Sequence, residues 1–334
     1  MHLLPYFLRI TGARWLSGLL LCIISILWNY RDSNAASPTP LNPPTPAHEA
    51  PLRFAVAETL LNDNWLTVPT NFTDHLISWD NIFSSAVSGS QARPPQWEAI
   101  MLSGEESIIG CAQGWLTAFY QTRCGKPAGY LHSALIWDKN RFPTPPGWPT
   151  LWDLVRYPGK RGLPRQARGA LEIALLANNV PPAKIYQVLS TRAGQIKAFE
   201  LLDGIRFFIA WYSTPAEFQQ LLHNKELIIG VAPLSALTSE TKLNIDPDFL
   251  PDLSHSIYSK RFWAIPAALP PSQRTHVEQV LDEAAPHLTY ETPSIAGSSL
   301  MIDDSFWQIY APTLEPIFDK WVKTGTIDFD MAPH

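Results

Sequence analysis

The usual catalytic signatures are missing from this chain. It has no G-x-S-x-G elbow, no phosphate loop ending in Gly-Lys-Ser/Thr, no G-x-G-x-x-G fingerprint and no H-E-x-x-H pair. Charge is sparse at 16% of residues and sums to −5, so a nucleic-acid surface has no electrostatic support. Cysteine is scarcer still, three in 334 residues, without the CxxC spacing or an adjacent histidine that a zinc site requires. The nine histidines are scattered, and the sequence pairs none of its carboxylates. These absences predict a chain with no catalysis of its own, no cofactor, no metal and no nucleic-acid partner.

What is present is apolar residues (46%), thirteen tryptophans and thirty-one prolines, enough for a large core split over one or two domains. Residues 1–35 read as an export signal: Arg9 and Arg14 precede an apolar run of thirteen (16–28), and Ser33 and Ala35 suit a cleavage site. The run is short for a spanning helix, although Trp28, Tyr30 and Arg31 resemble an interfacial flank and leave an uncleaved N-terminal anchor open. Residues 36–51 form a proline-rich tether. With Cys22 inside the signal, Cys111 and Cys124 remain, and an even pair in an exported chain predicts a disulfide.

Beyond the tether, apolar runs at 52–58, 97–102, 130–138, 206–212, 226–233 and 256–266 read as strands. Helical periodicity appears at 167–178, where Leu171, Ala174, Leu175 and Asn178 share a stripe, and in 192–205 through Ile196, Phe199 and Leu202. Thr214, Pro215 and Glu217 have the N-cap, N1 and N3 signature of a short helix. Helices are expected near 272–285 and 304–322, the second interrupted by Pro312 and Pro316. Strands alternating with helices predict α/β layers and largely parallel sheets.

Two features suggest a binding site. Five basic residues (Arg156, Lys160, Arg161, Arg165, Arg168) gather just before the helix at 167, where free N–H groups attract anions. Arg156, Lys160 and Arg161 read as a solvated connector; Arg165 and Arg168 are candidates to face a ligand. Trp97, Trp137, Trp211, Tyr212, Tyr258 and Trp263 lie in or at the ends of strands, which predicts aromatic walls beyond the strands' carboxyl edges.

The order of "WEAIML…GCAQGW", "RCGKPAGYLHSALIWDKNRFP", "TLWDLVRYPGKRGLPRQARGALEIALLANNVPPAKIY", "AWYST…LLHNKELIIGVAP" and "RFWAIP" resembles periplasmic substrate-binding proteins of ABC transporters, in their spermidine/putrescine-binding-like branch. The resemblance covers 96–266, with a looser echo to 322. It implies a two-lobed, periplasmic-binding-protein-like (type II) α/β fold with an interlobe cleft: 52–137 with 258–334 as lobe 1 and 138–257 as lobe 2. It also implies a disulfide between Cys111 and Cys124. The match weakens over 52–96, where the first lobe reads as shortened and only Trp65 offers an aromatic contact. Arg261 stands two before the tryptophan of "FWAIP", where polyamine binders carry an aspartate, and Arg165 and Arg168 flank positions that carry acids in them.

The function implied is a periplasmic monomer that captures a small polar solute and hands it to ABC permease subunits. Expected ligand contacts are His132, Ser133, Arg165, Arg168, Trp211, Tyr212 and Arg261, and the basic replacements predict an anionic or zwitterionic solute rather than a polyamine. A membrane-tethered sensor with a degenerate solute-binding fold is the alternative; an exported enzyme stands third, for want of a nucleophile–base or metal constellation.

Overall fold

The structure, a computed structural model, describes residues 51–57, 76–80, 82–118, 124–237, 247–284, 295 and 297–331. The expected signal, the tether up to residue 50 and Trp65 lie outside these residues.

The first strands are β1 (Phe54–Ala57) and β2 (Leu76–Trp79), followed by helix α1 (Phe83–Gln91), strand β3 (Ala99–Ser103) and helix α2 (Gly104–Ala112). A long strand, β4 (Lys126–Asp138), leads to β5 (Arg161–Pro164) and helices α3 (Ala167–Ala177), α4 (Ile185–Leu189) and α5 (Arg192–Gly204). Strand β6 (Ile209–Tyr212), helix α6 (Pro215–His223) and strand β7 (Ile229–Pro233) follow. The chain then forms β8 (Phe249–Ala264), α7 (Pro271–Ala284), β9 (Leu300–Met301) and α8 (Asp304–Thr324).

The strands form one mixed sheet in the order β2-β1-β3-β8-β4-β7-β5-β6, with β9 beside β8. β2, β1 and β3 are parallel, as are β7, β5 and β6. The two parallel groups meet through antiparallel β8 and β4, so the sheet is less uniformly parallel than the alternation of elements predicts. β4 and β8 run from one hydrophobic core into another. Ala128 and Trp263 pack in a first core with Phe54, Ile100 and Leu281. Leu135 and Ile257 pack in a second with Leu171, Phe199 and Trp307. Register shifts between Pro127 and Gly129 and between Ala134 and Leu135 mark the crossing; such bulges bend and twist a strand pair.

Local chemistry accounts for most boundaries. Ser103 caps α2 in a reciprocal box with Glu106. At α6 the Thr214 hydroxyl accepts from the Glu217 N–H at 3.1 Å, as its N-cap signature predicts. In α5 the buried stripe is Gln195, Ala198, Phe199 and Leu202, and Ile196 is exposed.

Two expectations need correction. The run at 206–212 is a strand only from Ile209, because Arg206–Phe208 is a 3₁₀ turn that leaves Phe207 82% exposed. α8 continues through Pro312 and Pro316: both rings lie on its exposed side, while Leu314, Ile317, Phe318 and Trp321 hold the buried side. Leu300, Ile302 and the buried side of α8 pack in the second core, where Phe318 and Trp321 lie against Phe199 and Trp211.

Cys111 at the end of α2 is joined to Cys124, with Cα atoms 5.7 Å apart. The short loop this closes accounts for about 3 kcal/mol in the chain-entropy picture.

Candidate functional site

The carboxyl end of β3 runs directly into the N-terminus of α2, and this junction faces the turn that begins α3. Glu105, in the first turn of α2, forms an ion pair with Arg168 of that turn. The Arg168 guanidinium also donates to the Ser259 hydroxyl of β8 at 2.8 Å and to Asp304, the first residue of α8, at 3.2 Å. The side chains of Arg168, Glu105 and Asp304 are only 12%, 13% and 11% exposed. Gly104 permits the approach: a Cβ there would lie 2.0 Å from an Asp304 carboxylate oxygen. Side chains from α2, β8 and α8 thus converge on one guanidinium.

Arg261 belongs to the same group. It lies opposite Ser103 in the β3–β8 register and two residues from Ser259, so it shares their sheet face. Its Nε is buried with no hydrogen-bond partner, and the same holds for the second carboxylate oxygen of Glu105. Burial lowers the Arg261 pKa, and the neighbouring Arg168 lowers it further, against Glu106, Glu105 and Asp304. Burial likewise pushes the Asp304 carboxyl up to about 6, although Arg168 and Arg261 oppose it.

The anion expected in front of α3 is supplied by the chain itself. The Glu315 carboxylate of α8 accepts from the backbone N–H groups of Ala167 at 2.9 Å and Arg168 at 3.0 Å. The next N–H, of Gly169, goes to Glu172 at 2.8 Å. Glu172 is fully buried and also accepts from Tyr186 Oη and Trp307 Nε1, which binds α3 to α4 and α8. Four carboxylates (Glu105, Glu106, Asp304, Glu315) therefore surround two guanidiniums (Arg168, Arg261). The acids brought in from α2 and α8 therefore offset the local arginines that the sequence shows together.

The other expected contacts disperse. Arg165 is exposed and meets Tyr212 only through its backbone N–H, at 2.8 Å. Arg156 is exposed beside Asp153, and Lys160 is exposed. Arg161, expected in a solvated connector, is fully buried: its guanidinium donates to the carbonyls of Leu151, Asp153, Tyr157 and Gly159, and burial lowers its pKa to about 10. Tyr212 is a core residue: its ring packs on Phe218 and its hydroxyl donates to the Val231 carbonyl at 2.6 Å. Trp211 packs edge-on against Phe318 and Trp321. Trp97, Trp137 and Trp263 are buried as well. The expected aromatic walls are thus mostly core.

His132 stacks on Tyr258 at 4.3 Å and hydrogen-bonds Ser256 at 2.8 Å, and burial lowers its pKa. It pairs with Tyr258, whereas Arg261 and Ser259 point to the opposite face of β8, so His132 does not join the arginine cluster. Ser133 pairs with Ile257, half-buried at the strand crossing. Of the seven expected contacts, only Arg168 and Arg261 come together. Glu105, Asp304 and Glu315 were missed; the "SGEE" cap of α2 was the one local signal available.

Among the described residues no group of three or more His, Cys, Asp or Glu side chains could hold a metal ion, and no helix is long and apolar enough to cross a membrane.

This architecture is the α/β fold of the two-lobed periplasmic binding proteins. Residues 115–278 match the bacterial extracellular solute-binding protein family. The chain is 23% identical over 267 residues to the gamma-aminobutyric acid-binding protein of Pseudomonas aeruginosa, covering 67% of this chain and 75% of that one. Similar solved structures include an ABC transporter substrate-binding protein from Bradyrhizobium japonicum, with TM-score 0.65 and 16% identity, covering 81% of this chain and 98% of that one. Another is the binding protein AgtB from Agrobacterium tumefaciens R10 in complex with agropinic acid, with TM-score 0.63, 14% identity and the same coverage.

Proposed function

We propose that this protein is an extracytoplasmic solute-binding protein that captures a small zwitterion and delivers it to the permease of an ABC importer. Hinge closure around the solute is the mode of action that suits two cores joined by long strands. The observation that carries the solute class is the pair of buried, unpartnered groups of opposite sign, Arg261 Nε and a Glu105 carboxylate oxygen. A buried polar atom left without a partner is costly, by about 1–3 kcal/mol and more when charged. A solute with a carboxylate for Arg261 and an ammonium for Glu105 satisfies both; a simple anion satisfies only one. The relative from Pseudomonas aeruginosa is named for gamma-aminobutyric acid, a molecule with one group of each kind.

A thermal-shift screen against ω-amino acids, α-amino acids, organic acids and polyamines tests this. A zwitterion at one hundred times its Kd stabilises the fold by about 2.7 kcal/mol, and Arg261→Leu removes that shift while the protein still melts cooperatively. Tighter binding of putrescine or succinate than of any zwitterion refutes the reading.

One observation favours a second reading, a sensor that no longer transports. Arg168 is fully engaged by Glu105, Ser259 and Asp304 without a solute. A screen with no hit in any class supports it.

A further inference from the structure

Glu315 has an unusual place. It projects from the middle of α8, and its two oxygens are held by consecutive backbone N–H groups of a segment 147 and 148 residues away. Arg168 and Gly169 in that segment are not helical; Gly169 has φ 92° and the N–H groups of 167–169 are all given to carboxylates. Successive donors of this kind form a concave seat for an anion. Of the two carboxylates, Glu172 is local and belongs to the start of the helix; Glu315 is brought from elsewhere. The seat adjoins the Arg168 side chain, which a second carboxylate or a phosphate on a solute would otherwise bind in bidentate fashion. With Glu315 on the backbone and Glu105 and Asp304 on the guanidinium, the place is filled. What remains for a solute carboxylate is Arg261.

We infer that Glu315 is a specificity residue: it stands permanently where a solute's second anionic group would bind, so that the site accepts one carboxylate and rejects dicarboxylates and phosphates. The inference rests on the reading of the cluster as the solute site, but the existence of the seat does not. The effect is negative selection, in which a built-in like charge raises the cost of the wrong partner.

The test uses the full chain as wild type, Glu315→Ala and Glu315→Gln. The glutamine oxygen can still accept from one N–H and keeps the seat filled. Melting temperatures are compared in sodium chloride, formate and sulfate at equal ionic strength, reading the variant against the wild type in each salt, so that general salt effects cancel. Glu315→Ala is expected to melt below the wild type in chloride and to recover at least half of that loss in formate or sulfate, whereas Glu315→Gln and the wild type do not respond. By calorimetry, succinate is expected to bind Glu315→Ala at least tenfold tighter than the wild type. If Glu315→Ala folds only with formate present, the seat is confirmed by rescue. An anion response identical to that of the wild type, or failure to fold with and without formate, overturns the inference and leaves Glu315 a brace. Rescue by formate with unchanged succinate affinity overturns its role in specificity. A wild type that binds a zwitterion alongside an unresponsive Glu315→Ala refutes this inference alone; a responsive Glu315→Ala alongside a wild type that binds no zwitterion refutes the proposed function alone.

Discussion

Replacing Arg168 by alanine removes the cation that is ion-paired with both Glu105 and Asp304. At 3.2 Å the attraction between Arg168 and Asp304 is about 5 kcal/mol for an effective dielectric constant of about 20. Desolvation offsets part of that in the native protein, but truncating one partner strands the others, and breaking a buried pair costs about 3–5 kcal/mol. A chain of this size loses roughly 4–5 °C of melting temperature for a cost of about 3 kcal/mol. The loss is pH-dependent with a definite sign. Asp304 already has a folded-state pKa of about 6, above its ordinary 3.8, so its contribution is full below pH 3.8 and is lost as pH rises through 6. Without Arg168 its carboxyl moves higher, and the loss extends to higher pH. Circular-dichroism melts of wild type and Arg168→Ala between pH 5 and 8 should therefore diverge: a small difference at pH 5, where Asp304 is protonated, and the full loss at pH 8. Equal destabilisation at both ends, or a loss under about 1 kcal/mol at pH 8, would refute the account of Arg168 as the neutralising centre of a buried cluster.

Gly104→Ala places a Cβ 2.0 Å from an Asp304 oxygen and should push the start of α8 away from Arg168; we expect a loss of about 1–3 kcal/mol, mostly non-additive with Arg168→Ala in a double-mutant cycle. Trp211→Ala should cost about 3–5 kcal/mol in chemical denaturation through its lost packing on Phe318 and Trp321, and Tyr212→Phe about 1 kcal/mol through its lost bond to Val231, with solute affinity of Tyr212→Phe unchanged.

Much of the architecture is written in local pattern. The Thr214-Pro215 start of α6, the apolar run of β7 and the periodicity of α3 and α5 each reflect interactions within a few residues, and the structure places elements there. The same holds for Cys111 and Cys124, where scarcity left one partner for each. Even so, α8 runs on through two prolines that would stop a helix read in isolation, because its apolar stripe is buried along its length.

The site was legible only in part, and for a physical reason. Arg261 stood out because it stands where polyamine binders carry an aspartate, and Arg168 because it belongs to the basic cluster before α3. What Arg168 meets depends on residues up to 147 positions away: Glu105 in α2, Asp304 and Glu315 in α8. Nothing in the chain near residue 168 encodes that these acids arrive, so a basic stretch read alone appears to await an outside anion. Direction, too, is invisible without register. A strand's carboxyl edge can be located from sequence, but the pleat sends neighbouring side chains to opposite faces, which puts Tyr212 in the core and His132 across the sheet from Arg261. Sequence alone located many of the strands and helices, because those choices are largely local. Tertiary structure alone decided which charges neutralise one another and which are left for a solute, because electrostatic pairing in a buried site is set by distance in space and not along the chain.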